Sequence, residues 1–194
     1  MAEERLEGTL AVGWDGTPPD GTRQILPGVL EFLDRSSSTY GGKGFLVTGP
    51  KYNLMVDTPA CTRRVLDAVR IVGGLRYVFL SHRDEIGEIA DLHRATGGAV
   101  IMHRSEADRV PCGVDLVFDT DFEVEPGVTV IHTPGSSPGS SCLLVHRGDL
   151  RVLFTGNHVP RRGGQGTRRL LELEFDYIIP SHSDRPLLRQ SLQD

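Results

Sequence analysis

Four short polar stretches hold the side chains of this sequence that could do chemistry. They are Ser81-His82-Arg83-Asp84-Glu85, His132-Thr133-Pro134-Gly135-Ser136, Asn157-His158 and Ser181-His182-Ser183. Imidazole nitrogen and carboxylate oxygen are the usual protein ligands of zinc and of non-haem iron. The His82-x-Asp84 spacing lets two such groups point from one short loop into one pocket. Taken singly, His93, His103 and His146 read as capped or solvent-facing side chains; the weight lies in the combination.

Each stretch follows an apolar run of strand character: RYVFL (76–80), GVTVI (127–131), RVLFTG (151–156) and YIIP (177–180). Loops held at strand ends by a rigid scaffold are where binding and catalysis are usually placed. The intervening sequence supplies such a scaffold. VLEFL, GFLVTG and NLMVD read as three short strands broken by Gly, Pro and Asn. Thr62 to Val72 reads as a helix, with Val65, Leu66, Val69 and Val72 at helical spacing and Gly73-Gly74 closing it. Ile86 to Thr96 resumes that period, AVIMH and DLVF read as strands, SCLLVH as another, and Thr167 to Leu173 as a last helix. An early β-run, inserted helices and a second β-run suggest two packed sheets with helices outside. Residues 1–27, rich in Gly, Pro, Asp and Glu, read as an arm with little regular structure, and 28–194 as one domain.

Bulk properties narrow the function classes. A chain of 194 residues with 38% hydrophobic and 24% charged content suits one globular domain. No apolar run approaches the roughly 20 residues that a spanning helix needs, and the acidic start MAEERLEGTL is unlike a signal peptide. The expectation is a cytoplasmic protein with no membrane contact. A formal net charge of −5 disfavours nonspecific nucleic-acid binding, and the four arginines of RRGGQGTRR (161–169) read as a solvated surface loop. Cys61, Cys112 and Cys142 are widely spaced, without a CxxC pair, and read as incidental thiols.

Five segments, in order, resemble the metallo-β-lactamase fold superfamily between about Leu30 and His182. NLMVDTP resembles the family's strand ending in Asp, and FLSHRDEIGE its Thr-His-x-His-x-Asp-His loop. HTPGSSPGS resembles its Thr-Pro-Gly-His turn, LFTGNH its Phe-Thr-Gly-Asp segment, and IIPSHS its Pro-Gly-His-Gly loop. The resemblance implies an α/β (α+β) fold, a four-layer αββα sandwich, with one or two metal ions at the sheet edge that activate water for hydrolysis. Two registers of the first loop compete. Both keep His82 and Asp84 as ligand types; one puts Asp84 and the other Glu85 in a histidine's place. Ser136 replaces the histidine of the third motif, and Asn157 the aspartate that bridges two metals. The implied metal ligands are therefore His82, Asp84 and His182, with Glu85 a further oxygen donor and His132 and His158 auxiliary. Without a bridging carboxylate, two neighbouring divalent cations lose the charge that offsets their repulsion; the site is expected to be at most mononuclear.

Two readings follow. One is a hydrolase with a single zinc or iron ion on His82, Asp84 and His182, with Asp84 or Glu85 as base. The other is a metal-free binding or scaffold member, in which Ser136, Asn157, His182 and His132 form an ordinary polar cluster. A third and weaker one makes Ser136 or Ser137 a nucleophile beside His132. In each, the partner is a small-molecule ligand or substrate, and an exposed sheet edge or the N-terminal arm offers a route to a homodimer.

Overall fold

A computed structural model gives the fold of residues 15–157, 165–183 and 186–189. Most of the N-terminal arm, His158 and positions 161–164 of the Arg/Gly loop lie outside the described residues. The first sheet runs in the order β1 (Thr22–Leu26), β2 (Val29–Phe32), β3 (Phe45–Val47), β4 (Leu54–Val56), β5 (Tyr77–Phe79), β6 (Ala99–His103) and β7 (Leu116–Phe118). The second contains β8 (Phe122–Glu125), β9 (Val128–His132), β10 (Ser141–Arg147), β11 (Leu150–Gly156), β12 (Tyr177–Pro180) and β13 (Leu187–Leu188), running in space from β13 to β8.

Side-chain alternation decides the layers. Leu54, Val56, Tyr77, Phe79 and Ile101 face the second sheet, where they meet Val128, Val130, Leu143, Val145, Val152 and Phe154. The residues that alternate with them, Met55, Val78, Leu80, Val100 and Met102, face outward onto α1 (Arg63–Ile71) and α2 (Ile89–Thr96), through Val65, Ala68 and Val69 of one and Ile89 and Leu92 of the other. On the far side Ile131, Cys142, Leu144, Leu153 and Ile178 meet Leu170 of α3 (Gln165–Glu172). Helix, sheet, sheet and helix form the expected four layers. Each fully buried Val, Leu or Phe contributes roughly 1.5–3 kcal/mol relative to exposure, so this period-2 register is strongly specified.

Helix starts follow local chemistry. The Thr62 hydroxyl accepts from the Val65 N–H at 3.2 Å, capping α1. Gly97, in the left-handed region at φ 70°, ends α2.

The structure departs from the sequence expectation in four places. Residues 1–27 are not uniformly irregular: Thr22–Leu26 pairs antiparallel with β2, and Arg23 meets the buried Glu31 at 2.6 Å. The Gly, Pro and acidic residues that make this region read as an arm lie mostly before TRQIL, whose one charged residue, Arg23, faces a partner strand. Phe122–Glu125 and Leu187–Leu188 are strands that the sequence did not announce, the first acidic and the second only a pair of residues. Helix α2 starts at Ile89, because Arg83–Glu85 forms a separate 3-10 turn. Helix α3 covers Gln165–Glu172, shifted from 167–173. Among the described residues no helix is long and apolar enough to cross a membrane.

Strands β4, β5 and β6 run parallel, as do β11 and β12. Their C-terminal ends deliver Asp57, Ser81-His82, Glu106, Asn157 and Ser181-His182.

Candidate functional site

Asp57 anchors the site. Its carboxylate accepts from the Ser81 N–H at 2.8 Å, the Ser81 hydroxyl at 2.9 Å and the Ser181 hydroxyl at 3.1 Å. It thereby ties the ends of β4, β5 and β12 together across both sheets. Asp57 also adopts φ 56°, a left-handed conformation that costs a non-glycine residue on the order of 1–2 kcal/mol.

Glu85 lies beside it with no solvent exposure, and neither carboxyl oxygen has a hydrogen-bond partner among the described residues. Burial pushes Glu85 up to about 9, helped by the charges of Asp57 and Asp84. Burial also raises Asp57, to about 6, against the three hydrogen bonds that favour its charged form. The division of charge is physical: the carboxylate with three donors is ionised, and the one with none keeps its proton. Gly42 allows this packing, since a Cβ there would lie 2.3 Å from Glu85 Oε2.

His82 is buried, and its Nδ1 accepts from the Asp84 N–H at 3.1 Å. A backbone N–H only donates, so the His82 proton sits on Nε2. The Asn157 amide nitrogen, 3.3 Å from the same Nδ1, then donates to it, and the amide oxygen faces His182 Nε2 at 2.7 Å. His182 Nε2 also lies 3.5 Å from Glu85 Oε1. Burial lowers the His82 pKa, outweighing the Asp84 and Glu106 carboxylates. His82 Nε2 is itself buried without a partner among the described residues. Asp84 is half exposed, with Oδ2 3.4 Å from His82 Nδ1.

The other side of the site is the turn from Thr133 to Ser140. Ser136 is exposed, its hydroxyl 3.4 Å from that of Ser140. His132 turns away. Its ring stacks on His103 with centroids 4.2 Å apart, its Nε2 bonds the Pro138 carbonyl at 2.8 Å, and it lines a cavity of about 250 Å³ with Thr120, Asp121 and Arg169. Neither the Ser136 hydroxyl, 3.4 Å from that of Ser140, nor the Ser137 hydroxyl, which has no hydrogen-bond partner among the described residues, is hydrogen-bonded to the His132 ring, so the serine-nucleophile arrangement is not assembled. The turn is held instead by Glu106, whose Oε1 accepts from the Gly139 N–H at 3.0 Å.

The structure thus gathers His82, Asp84, Glu85, Asn157 and His182, and leaves Ser136 and His132 outside that cluster. Two buried acids have no site role in the sequence reading. Asp57 enters it only as the acid that ends the NLMVD strand; Glu106, on a turn after β6, carries no signal.

No family model matches this sequence, and neither does any curated protein. Solved structures do. A metallo-β-lactamase from Novosphingobium pentaromativorans superposes with a TM-score of 0.65 at 20% identity, over 90% of this chain and 83% of that one. One from Cronobacter sakazakii, described by its HARLDQ motif, gives 0.65 at 20% identity over 86% and 80%. A B3 metallo-β-lactamase described as having an active-site glutamic acid gives 0.64 at 18%, over 100% and 91%.

The chain has the metallo-β-lactamase fold.

Within that fold the strand-end cluster occupies the sheet edge at which the sequence motifs placed a metal. As arranged, the side chains do not fit an ion. Among the described residues no group of three or more His, Cys, Asp or Glu side chains is placed to hold one. The Nδ1 of His82 is occupied by two donors, the Nε2 of His182 by the Asn157 amide, and the Glu85 carboxyl holds a proton that a ligand would have to lose. The metallo-β-lactamase fold is present, while its motif positions form a hydrogen-bonded chain.

Proposed function

We propose that the protein is a binding member of the metallo-β-lactamase fold, whose site takes up a small polar molecule without metal chemistry. The observation that carries this reading is the Asn157 amide, which spans the His82 and His182 imidazoles with its nitrogen on one and its oxygen on the other. An amide can satisfy a donor and an acceptor at once, whereas a bridging carboxylate can only accept. The raised pKa of Glu85 fits this reading, since the carboxyl would have to lose its proton before serving as a metal ligand or a general base. The half-exposed His182 and Asp84 are the groups available to a ligand from solvent.

A second reading, a hydrolase with one zinc or iron ion, draws on the unpartnered His82 Nε2 and Glu85 oxygens. It gains some support from the B3 enzyme whose description names an active-site glutamic acid.

Zinc binding separates the two. Protein purified without chelator or nickel resin, assayed by plasma mass spectrometry and titrated against a chromophoric chelator, should carry no stoichiometric zinc or iron. The Ser136→His/Asn157→Asp variant should bind zinc at least on the order of a hundredfold tighter, equivalent to about 2.7 kcal/mol. One ion per wild-type chain, lost in His82→Ala along with ester, thioester or lactam hydrolysis, would establish the second reading.

A further inference from the structure

Lys43 is only 2% exposed, an unusual position for a lysine. Its ammonium lies 3.2 Å from Glu31 Oε1 and donates to the Ser183 carbonyl, and its own N–H donates to the Ser181 carbonyl at 3.2 Å. One residue thus grips the chain on both sides of His182. The Gly42 that precedes it packs against the Glu85 carboxyl, whose Oε1 lies 3.5 Å from His182 Nε2, so the same segment also borders the group that faces His182.

We infer that Lys43 is the positioning residue of His182, holding its imidazole against Asn157 and Glu85 through an anchor on β2. Glu31 is that anchor. It is buried, and Arg23 at 2.6 Å and Arg35 at 4.0 Å share its charge with Lys43. A buried ammonium left without acceptors would carry a large desolvation cost. Placing it between a carboxylate and a carbonyl satisfies it and fixes the loop at the same time. The Asp57 bond to the Ser181 hydroxyl and the Gly156 carbonyl bond to the Ser181 N–H hold the loop's start. Lys43 alone among these side chains reaches past His182 to Ser183. Sequence carried no hint of this, since Lys43 lies in a Gly-rich connection and 140 residues separate it from Ser183.

The inference deepens the binding-site reading and rests on it for its functional meaning, yet its test uses no ligand. Protein labelled with 15N-histidine should show a downfield, slowly exchanging Nε2–H proton from His182, identified by its loss in His182→Ala. Lys43→Met/Glu31→Gln removes the clamp without stranding a buried charge. In that pair the His182 proton should exchange at least about tenfold faster or disappear, while the His93 ring signal, tied to the Gly98 carbonyl at 3.0 Å, stays in place. Glu31→Gln alone should give an intermediate change. A His182 signal unchanged in the pair overturns the inference and leaves the binding reading standing. If the pair does not fold, Lys43→Gln is read on the same signal by the same criterion.

Discussion

The two walls of the candidate site are built differently. The wall from the first sheet, Asp57, Ser81, His82 and Glu85, is buried and ionisable; Asp57 is satisfied by Ser81 within it, while His82 Nε2 and both Glu85 oxygens have no hydrogen-bond partner among the described residues. The wall from the second sheet, Thr133 to Ser140, is a small-residue turn that contributes hydroxyls and turns its imidazole away onto His103. A metal centre at a sheet edge draws ligands from both sides. Here the first sheet supplies most of the titratable groups and the Thr133–Ser140 turn supplies none, so the second sheet contributes to the cluster only Asn157 and His182, at the ends of β11 and β12. Retaining a fold's architecture while emptying one wall of ligands changes which chemistry the edge can perform.

The largest expected effect bears on the buried wall. Glu85 has its pKa raised from 4.5 to about 9, chiefly by burial. The stability gained by holding that proton is complete below the unfolded value of about 4.5 and is lost as pH rises through the folded value. Within that window wild-type stability should fall relative to Glu85→Gln, which does not titrate, by about 1.4 kcal/mol per pH unit. Between pH 5.5 and 7.5 the difference should reach about 3 kcal/mol, or roughly 6–12 °C in Tm for a domain of this size. Thermal melts of both proteins across that range measure it. Parallel profiles would mean that Glu85 is ionised and has found a cation, which would revive the single-ion reading.

A smaller effect compares how stiff the walls are. Both contain a glycine pressed against a buried acid: Gly42 against Glu85, where a Cβ would sit 2.3 Å from Oε2, and Gly139 against Glu106, where it would sit 2.7 Å from Cδ. Gly42→Ala should cost about 2 kcal/mol and Gly139→Ala about 1 kcal/mol in urea unfolding, within the usual range for overpacking. The fully buried Glu85 has nowhere to move, whereas the turn at Gly139 borders the exposed Ser136 and Pro138. The reverse order would make the serine turn the rigid side.

The sequence disclosed the fold through alternation. Leu54-Met55-Val56 and Tyr77-Val78-Phe79 carry apolar groups on both faces because each face meets a different layer, and such runs are easy to read. TRQIL and FEVE stayed hidden because edge strands carry charge, which also makes an arm or a turn. The cluster of His82, Glu85, Asn157 and His182 was legible as polar residues gathered at three strand ends. Its state was not. Whether Glu85 is protonated depends on Asp57, 28 positions away, taking the available donors. The placement of His182 depends on Lys43 across the chain. Neither relation leaves a local pattern.

The direction of His132 could have been read from parity, and it supplies the smallest prediction. Val128 and Val130 face the first sheet, so His132, two residues on, faces it too; Ile101 and His103 share the same relation on β6. The two rings therefore meet between the sheets, stacked with centroids 4.2 Å apart. His103 is fixed as a neutral ring, its Nδ1 accepting from the Ser105 N–H at 3.1 Å and its Nε2 facing the Asp119 carbonyl at 3.2 Å. Burial and the neighbouring His132 push its pKa down. His132→Ala removes the stacked contact and the bond to Pro138, and should cost about 1 kcal/mol, the usual worth of an aromatic pair. The His182 Nε2–H signal should not move. If it does, the turn transmits to the buried wall through Glu106 and Gly139, and the two walls form one cooperative unit.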